Sequence, residues 1–66
     1  MYSDKSGQEI KPGDRFKYQP PGDSSTTGRL YDLDGLKVIK WGCHDVELAD
    51  SFFKSGQDLD KHCRRI

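Results

Sequence analysis

Residues 26–41, TTGRLYDLDGLKVIKW, decide the fold class of this chain. Asp34-Gly35 lies between two apolar runs, and this dipeptide is the strongest short-range signal for a two-residue β-hairpin turn. The flanking segments, residues 26–33 and 36–41, are rich in the β-branched and aromatic side chains that strands favour. The stretch therefore predicts two antiparallel strands joined by a tight turn.

Upstream of this hairpin the sequence predicts a turn, a strand and a loop. In residues 11–14, KPGD, proline and glycine occupy the two central positions of a type II turn. Residues 15–18, RFKY, alternate charged with aromatic side chains, which indicates a strand that is buried on one face. Residues 19–25, QPPGDSS, do not continue that strand because their two prolines remove backbone donors. We interpret them as a surface loop.

Downstream, shorter elements follow the hairpin. Residues 42–45, GCHD, are typical of a second tight turn, and residues 46–48, VEL, alternate as a short fourth strand. Residues 49–53, ADSFF, break the alternation and predict a single helical turn, from which one phenylalanine would cap the open end of a barrel. Residues 57–66 permit two interpretations, a helix that Asp58 would cap or an irregular segment that leads into a last strand, and we favour the strand.

The composition limits the chain to one small domain. It has 66 residues, of which 32% are hydrophobic and 33% charged, with eleven basic and eleven acidic side chains. Three tyrosines, three phenylalanines and Trp41 supply the large side chains that so short a chain needs for a core. We expect residues 1–9 to be a flexible N-terminal tail and residues 10–66 to form the domain. The balanced charge argues against a dedicated nucleic-acid binder but permits a local basic patch.

The order of these elements resembles an SH3-like barrel of the Tudor or KOW kind. The segments that support this resemblance are Lys11-Pro12-Gly13-Asp14-Arg15-Phe16, Gly28-Arg29-Leu30, Asp34-Gly35 with residues 38–41, and Val46-Glu47-Leu48 before the helical turn. The resemblance covers residues 10–53. It implies a mostly β fold, a single small barrel of about five strands with a helical turn before the last strand. This superfold serves binding modules more often than enzymes.

One enzyme family within this superfold has a similar entry motif. The plasmid-borne type II dihydrofolate reductases also begin a barrel with Gly-Asp-Arg, matched here by residues 13–15. The resemblance implies a tetramer whose pore uses a Val-Gln-Ile-Tyr segment. The comparable segment here, residues 46–49, is Val-Glu-Leu-Ala and lacks both the glutamine and the tyrosine. We therefore expect no enzymatic activity.

The outer face of the predicted sheet is the candidate binding site. Side chains alternate between the two faces of a strand. The residues expected to point inward are Phe16, Tyr18, Leu30, Val38, Val46 and Leu48. The residues then directed outward are Arg15, Lys17, Arg29, Tyr31, Lys37, Ile39 and Trp41. Exposed aromatic and aliphatic groups beside arginines are typical of partner sites. A bulge after Lys37 is the alternative, and it would turn Ile39 and Trp41 into the core.

Two functions follow from this face. The first is a small non-enzymatic interaction module or regulator that binds a protein partner, or a second copy of itself, through the exposed aromatic and basic groups. The second is a single-stranded nucleic-acid-binding domain, in which Tyr31 and Trp41 stack on bases and the cations contact phosphates. A steep dependence of affinity on salt would distinguish the second function from the first.

No cofactor, metal or membrane partner is expected. Cys43-His44 and His62-Cys63 offer four metal-ligand side chains, but adjacent strand residues point to opposite faces and structural zinc sites space their ligands more widely. A nucleophile formed by Cys43, His44 and Asp45 is disfavoured because consecutive residues do not form the required geometry. The N-terminus lacks a signal peptide's apolar segment, and no stretch reaches membrane length, so we expect a cytoplasmic protein with free thiols.

Overall fold

A computed structural model describes residues 2–66 and divides them into short strands and two helical turns. The elements, in chain order, are β1 (Tyr2–Ser3), β2 (Glu9–Ile10), β3 (Arg15–Tyr18), β4 (Thr26–Leu33), β5 (Leu36–Trp41), β6 (Asp45–Leu48), the helix α1 (Ala49–Phe53), a 3₁₀ turn (Leu59–His62) and β7 (Cys63–Arg65). Among residues 2–66, no helix is both long enough and apolar enough to cross a bilayer.

Five of the strands form one antiparallel sheet in the order β6-β5-β4-β3-β7. The strands β1 and β2 pair separately as a small hairpin. The predictions of a mostly β chain, of five sheet strands and of a helical turn before the last strand are confirmed. The sheet is not closed into a barrel, because β6 and β7 lie at its two edges and do not pair with each other.

The predicted turns have the backbone conformations that their sequences require. Asp34 and Gly35 have φ angles of 53° and 90°, the left-handed pair of a type I′ turn, and they join β4 to β5 with Leu33 opposite Leu36. At the entry turn, the N–H of Asp14 donates to the carbonyl of Lys11. These turns set the strand register, and the register decides which side chains share a face of the sheet.

The core lies on one face of the sheet, beneath α1. Its fully buried side chains come from β3, β4, β5 and β7, and α1 adds two more; they are Phe16, Leu30, Ile39, Cys63, Ala49 and Phe52, with Ile10 from β2. Aromatic rings dominate this core, because Phe52 packs edge-on against both Tyr18 and Trp41. The helical turn thus places Phe52 over the core face of the sheet.

Residues 2–9, which the sequence predicts to be part of a flexible tail, instead belong to a hairpin packed on the sheet, and Met1 lies outside the described residues. The centre of this hairpin is Asp4, which is 4% exposed and accepts hydrogen bonds from the N–H groups of Ser6, Gln8 and Arg65. Burial raises the pKa of the Asp4 carboxyl, but these three donors outweigh it, and the pKa lies below its ordinary value. The sequence does not predict this hairpin, because the buried residue at its centre is a carboxylate and not an apolar side chain.

The register reverses six predicted orientations: Lys37, Ile39 and Trp41, expected outward, lie on the core side of the sheet, and Val38, Val46 and Leu48, expected inward, lie on the opposite side. Leu30 is opposite Ile39, so both side chains lie on the core face, and Ile39 is fully buried. Trp41 lies on the same face, half-buried against Phe16. No bulge is needed, since the β4–β5 pairing is continuous from turn to end. On the neighbouring strand, Val46 and Leu48 were expected in the core, but they are 59% and 47% exposed.

Candidate interaction face

The face of the sheet opposite the core follows from the strand pairing. Residues directly opposite each other in neighbouring strands share a face. We call outer face the strand residues whose side chains point away from the core: Arg15, Lys17, Thr27, Arg29, Tyr31, Leu33, Leu36, Val38, Lys40, Val46, Leu48 and Arg64. This set contains five cations and no carboxylate, although the whole chain has equal numbers of both.

The acidic residues of the strands lie on the other face. Asp32 lies opposite Lys37, and Asp45 and Glu47 lie opposite Trp41 and Ile39. Among the residues that the structure describes, the five outer-face cations form no ion pair with a carboxylate, whereas four other cations of the chain do. A chain with zero formal charge therefore has one strongly basic face.

Three of the cations form a row across the sheet. Arg15 is opposite Arg29, and Arg29 is opposite Lys40, so side chains of three adjacent strands stand side by side. We call these three residues the cation row. Like charges directly opposite each other destabilise a sheet. The arrangement is therefore a cost to the fold, and such a cost is typical of a binding surface.

A shallow depression of about 300 Å³ lies over this row. Its lining comprises the cation row together with Thr27, Gly28, Tyr31 and Gly42. Two guanidinium groups and one ammonium group thus border the depression, beside one phenol ring and one hydroxyl group, and all of them can donate hydrogen bonds to an anion. The second pair of outer-face cations, Lys17 and Arg64, lies opposite each other on the adjoining strands.

The other end of the outer face is aliphatic. Leu33 and Leu36, which flank the hairpin turn, are 57% and 53% exposed, and Leu48 of β6, opposite Val38, is similarly open. Val46 is also exposed, but it lies opposite Lys40, where it continues the cation row onto β6 as an aliphatic group. Between these two ends, Tyr31 lies opposite Val38. The outer face therefore changes from basic to apolar along the strands, with an aromatic ring at the boundary.

Four of the seven predicted site residues lie on this face and three do not. Arg15, Lys17, Arg29 and Tyr31 are on the outer face. Lys37, Ile39 and Trp41 are on the core side.

Of the three residues on the core side, Lys37 and Trp41 have polar groups, and both groups already bind a carboxylate there. The ammonium group of Lys37 is 3.0 Å from Asp32 Oδ2 and lowers the pKa of that carboxyl, helped by the N–H of Gly35. The indole N–H of Trp41 donates to Glu47 Oε1 at 2.5 Å. Of the two aromatic residues predicted to stack on bases, only Tyr31 therefore lies on the outer face.

The sequence did not predict eight members of the outer face, namely Thr27, Leu33, Leu36, Val38, Lys40, Val46, Leu48 and Arg64. The signal that would have found most of them is the Asp34-Gly35 turn. A two-residue turn makes Leu33 and Leu36 partners, and counting back along both strands pairs Leu30 with Ile39. Placing Leu30 in the core then requires Ile39 there too, and Lys40 outside.

The two cysteines occupy different environments. Cys63 is fully buried, its Sγ–H donates to the carbonyl of Leu59, and burial, with the charges of Asp60 and Asp4, raises its pKa to about 12. Cys43 is an exposed free thiol. Within residues 2–66, no three histidine, cysteine or acidic side chains are grouped so as to hold a metal ion.

Comparisons with models of protein families, with curated proteins and with solved structures found no significant match to this chain.

Proposed function

We propose that this chain is a non-enzymatic interaction module whose outer face binds an extended segment of a protein partner. The observation that supports the proposal best is the separation of charge: all five charged side chains of the outer face are cations. The partner segment then presents acidic residues to the cation row and aliphatic residues to Leu33, Leu36, Val46 and Leu48. Charge steers the encounter, and apolar burial supplies affinity.

The proposal includes a fold of the SH3-like type with an open barrel. The order β6-β5-β4-β3-β7 supports it. The four consecutive strands β3 to β6 each pair with the next, and the last strand then returns to pair with β3. The helical turn Ala49–Phe53, which covers the core before that last strand, supports it further. In such a module the curved sheet is the natural place for a partner, because the domain is too small to enclose a deep cleft.

A titration with a short peptide in which glutamate alternates with leucine tests this function. We expect saturable binding by calorimetry at low salt, weakened at least about tenfold by Arg29→Glu because a like charge then faces the peptide's carboxylates. Lys61→Glu is the matched control, since it makes the same charge change in the 3₁₀ turn, away from the outer face. Equal loss in both variants, or no binding by the unaltered chain, would reject the proposal.

Single-stranded nucleic acid is a second candidate ligand, and the depression over the cation row favours it. Phosphate contacts from Arg15, Arg29 and Lys40 beside the ring of Tyr31 are the combination that such binders use. A thymidine homopolymer in place of the peptide distinguishes the two. The logarithm of its binding constant would fall steeply and linearly with the logarithm of salt concentration, whereas the aliphatic contacts of a peptide would persist at high salt.

A further inference from the structure

The two edges of the five-stranded sheet differ in whether another segment of the chain covers them. At the β7 edge, the N-terminal hairpin covers the strand: the N–H of Lys5 donates to the carbonyl of Cys63, and Asp4 accepts from the N–H of Arg65, both at 2.9 Å. At the opposite edge, β6 has no strand beside it within residues 2–66, and all four of its residues are exposed. Uncovered edges are places where another strand adds.

The backbone groups that face this open edge follow from the hydrogen-bond alternation. The N–H of Leu30 donates to the carbonyl of Asp14, so even-numbered residues of β4 bond to β3 and odd-numbered ones to β5. The odd-numbered residues of β5 therefore bond to β6. Because they are paired with odd-numbered residues of β6, the backbone groups of Asp45 and Glu47 point toward β5. The N–H groups of Val46 and Leu48 therefore point to the open edge.

The side chains of β6 also differ in chemistry between the two faces of the sheet. Asp45 and Glu47 lie on the core side of the sheet, while Val46 and Leu48 lie on the outer face. A segment that adds beside β6 meets two carboxylates on one side and two aliphatic groups on the other. Its own side chains alternate between the same two sides.

A second copy of this chain fits the edge poorly. Antiparallel two-fold pairing of β6 with itself sets either Asp45 opposite the other copy's Glu47 or the two Glu47 side chains opposite each other. Like charges directly opposite one another destabilise a strand pair. The acidic side of β6 therefore selects a different strand, one with cations at those positions.

We propose that β6 is a strand-addition site for an extended peptide segment in which basic residues alternate with aliphatic ones. The basic residues lie beside Asp45 and Glu47 on the core side of the sheet. The aliphatic residues lie on the outer face, beside Val46 and Leu48. The backbone N–H groups of the edge supply the hydrogen bonds and the side chains supply selectivity, as in other strand additions. This site is independent of the cation row, which would repel such a segment.

The direct test is amide hydrogen exchange in the presence of a peptide in which lysine alternates with valine. We expect the exchange of Val46 and Leu48 to slow by about tenfold or more, because their N–H groups become bonded. A peptide in which glutamate replaces lysine is the control and should give no protection. Unchanged exchange, equal protection by both peptides, or a doubled mass of the free protein would each overturn the proposal.

Val46→Pro removes one of the proposed donors without removing a bond of the β5–β6 pairing. Proline is accepted at edge positions whose N–H faces solvent. We expect it to abolish binding of the lysine–valine peptide, while Val46→Thr, which keeps the N–H, still binds. Asp45→Lys provides an independent variant, in which the glutamate–valine peptide rather than the lysine–valine peptide should protect the amides of Val46 and Leu48 from exchange. Binding of the lysine–valine peptide unaffected by either change would contradict strand addition at this edge.

Discussion

The indole ring of Trp41 lies directly over the backbone of Gly28, its cross-strand partner. A Cβ atom at Gly28 would be 2.7 Å from Cζ3 of Trp41 and 3.0 Å from Cγ2 of Ile39. Only glycine therefore permits the ring to cover β4 at this point, where it also packs edge-on against Phe16. This close approach holds Trp41 on the core side and leaves the outer face to the cations and Tyr31.

Gly28→Ala should accordingly destabilise the fold by about 1–3 kcal/mol, the usual cost of overpacking. Chemical denaturation measures this, with the slope checked for two-state behaviour. In a Trp41→Leu background the same change should cost less than half as much, because the atom nearest to the new methyl group has been removed. An equal cost in both backgrounds would mean that the ring does not lie over Gly28.

Ile39→Ala tests the strand register. Because Ile39 is fully buried between neighbouring strands, the truncation should lower the free energy of unfolding by about 2–4 kcal/mol. Leu36→Ala is the matched control three residues earlier, at an exposed outer-face position, where a change within about 0.5 kcal/mol is expected. The reverse order of the two effects would support the outward position of Ile39 that strict alternation from Val38 predicts.

The sequence was sufficient for the elements but not for the faces. Local chemistry at Asp34-Gly35 and in residues 11–14 predicted the turns, and the helical turn at Ala49–Phe53 was also found. The sequence does not decide the faces of β5, because Val38 and Ile39 are adjacent and both are buried, one on each side of the sheet. Apolar pattern alone does not orient such a strand, whereas the pairing across a two-residue turn does.

The site and the N-terminal hairpin were harder to predict for related reasons. Lys40 and Arg64 join the outer face through pairing between strands that are distant in sequence or ambiguous in orientation. The hairpin depends on one buried carboxylate, Asp4, whose donors are backbone groups. Backbone donors leave no trace in the residue types, and so the polar sequence predicts a tail where a hairpin forms.

Arg29→Gln should stabilise the protein while it weakens binding. Arg29 is the middle member of the cation row, and removing its charge relieves repulsion from both Arg15 and Lys40. We expect a gain of about 0.2–1 kcal/mol at low ionic strength, smaller at high salt as the charges are screened. Thermal unfolding at two salt concentrations measures the gain. Lys61→Gln, which removes an exposed cation paired with Asp58, should give no gain.

Asp4 should make the fold sensitive to acid. Its pKa in the folded chain is lower than the unfolded value of about 3.9, so its contribution is complete above that value and is lost as the pH falls through the folded pKa. Asp4→Asn should cost about 2 kcal/mol at neutral pH, with the difference from the unaltered chain shrinking below about pH 4. Denaturation across that range measures it, and Asp23→Asn in the exposed loop is the control. A constant difference at all pH values would show that the carboxylate's charge is not involved.

The most direct test of the outer face as the binding surface is a map of backbone amide shifts during titration with the glutamate–leucine peptide. We predict that the shifted amides belong to the strands at Arg15, Arg29, Tyr31, Lys40 and Val46, with the region around Asp58 and Lys61 unchanged. Shifts confined to the 3₁₀ turn or to the N-terminal hairpin, or no shifts at any concentration, would contradict the account.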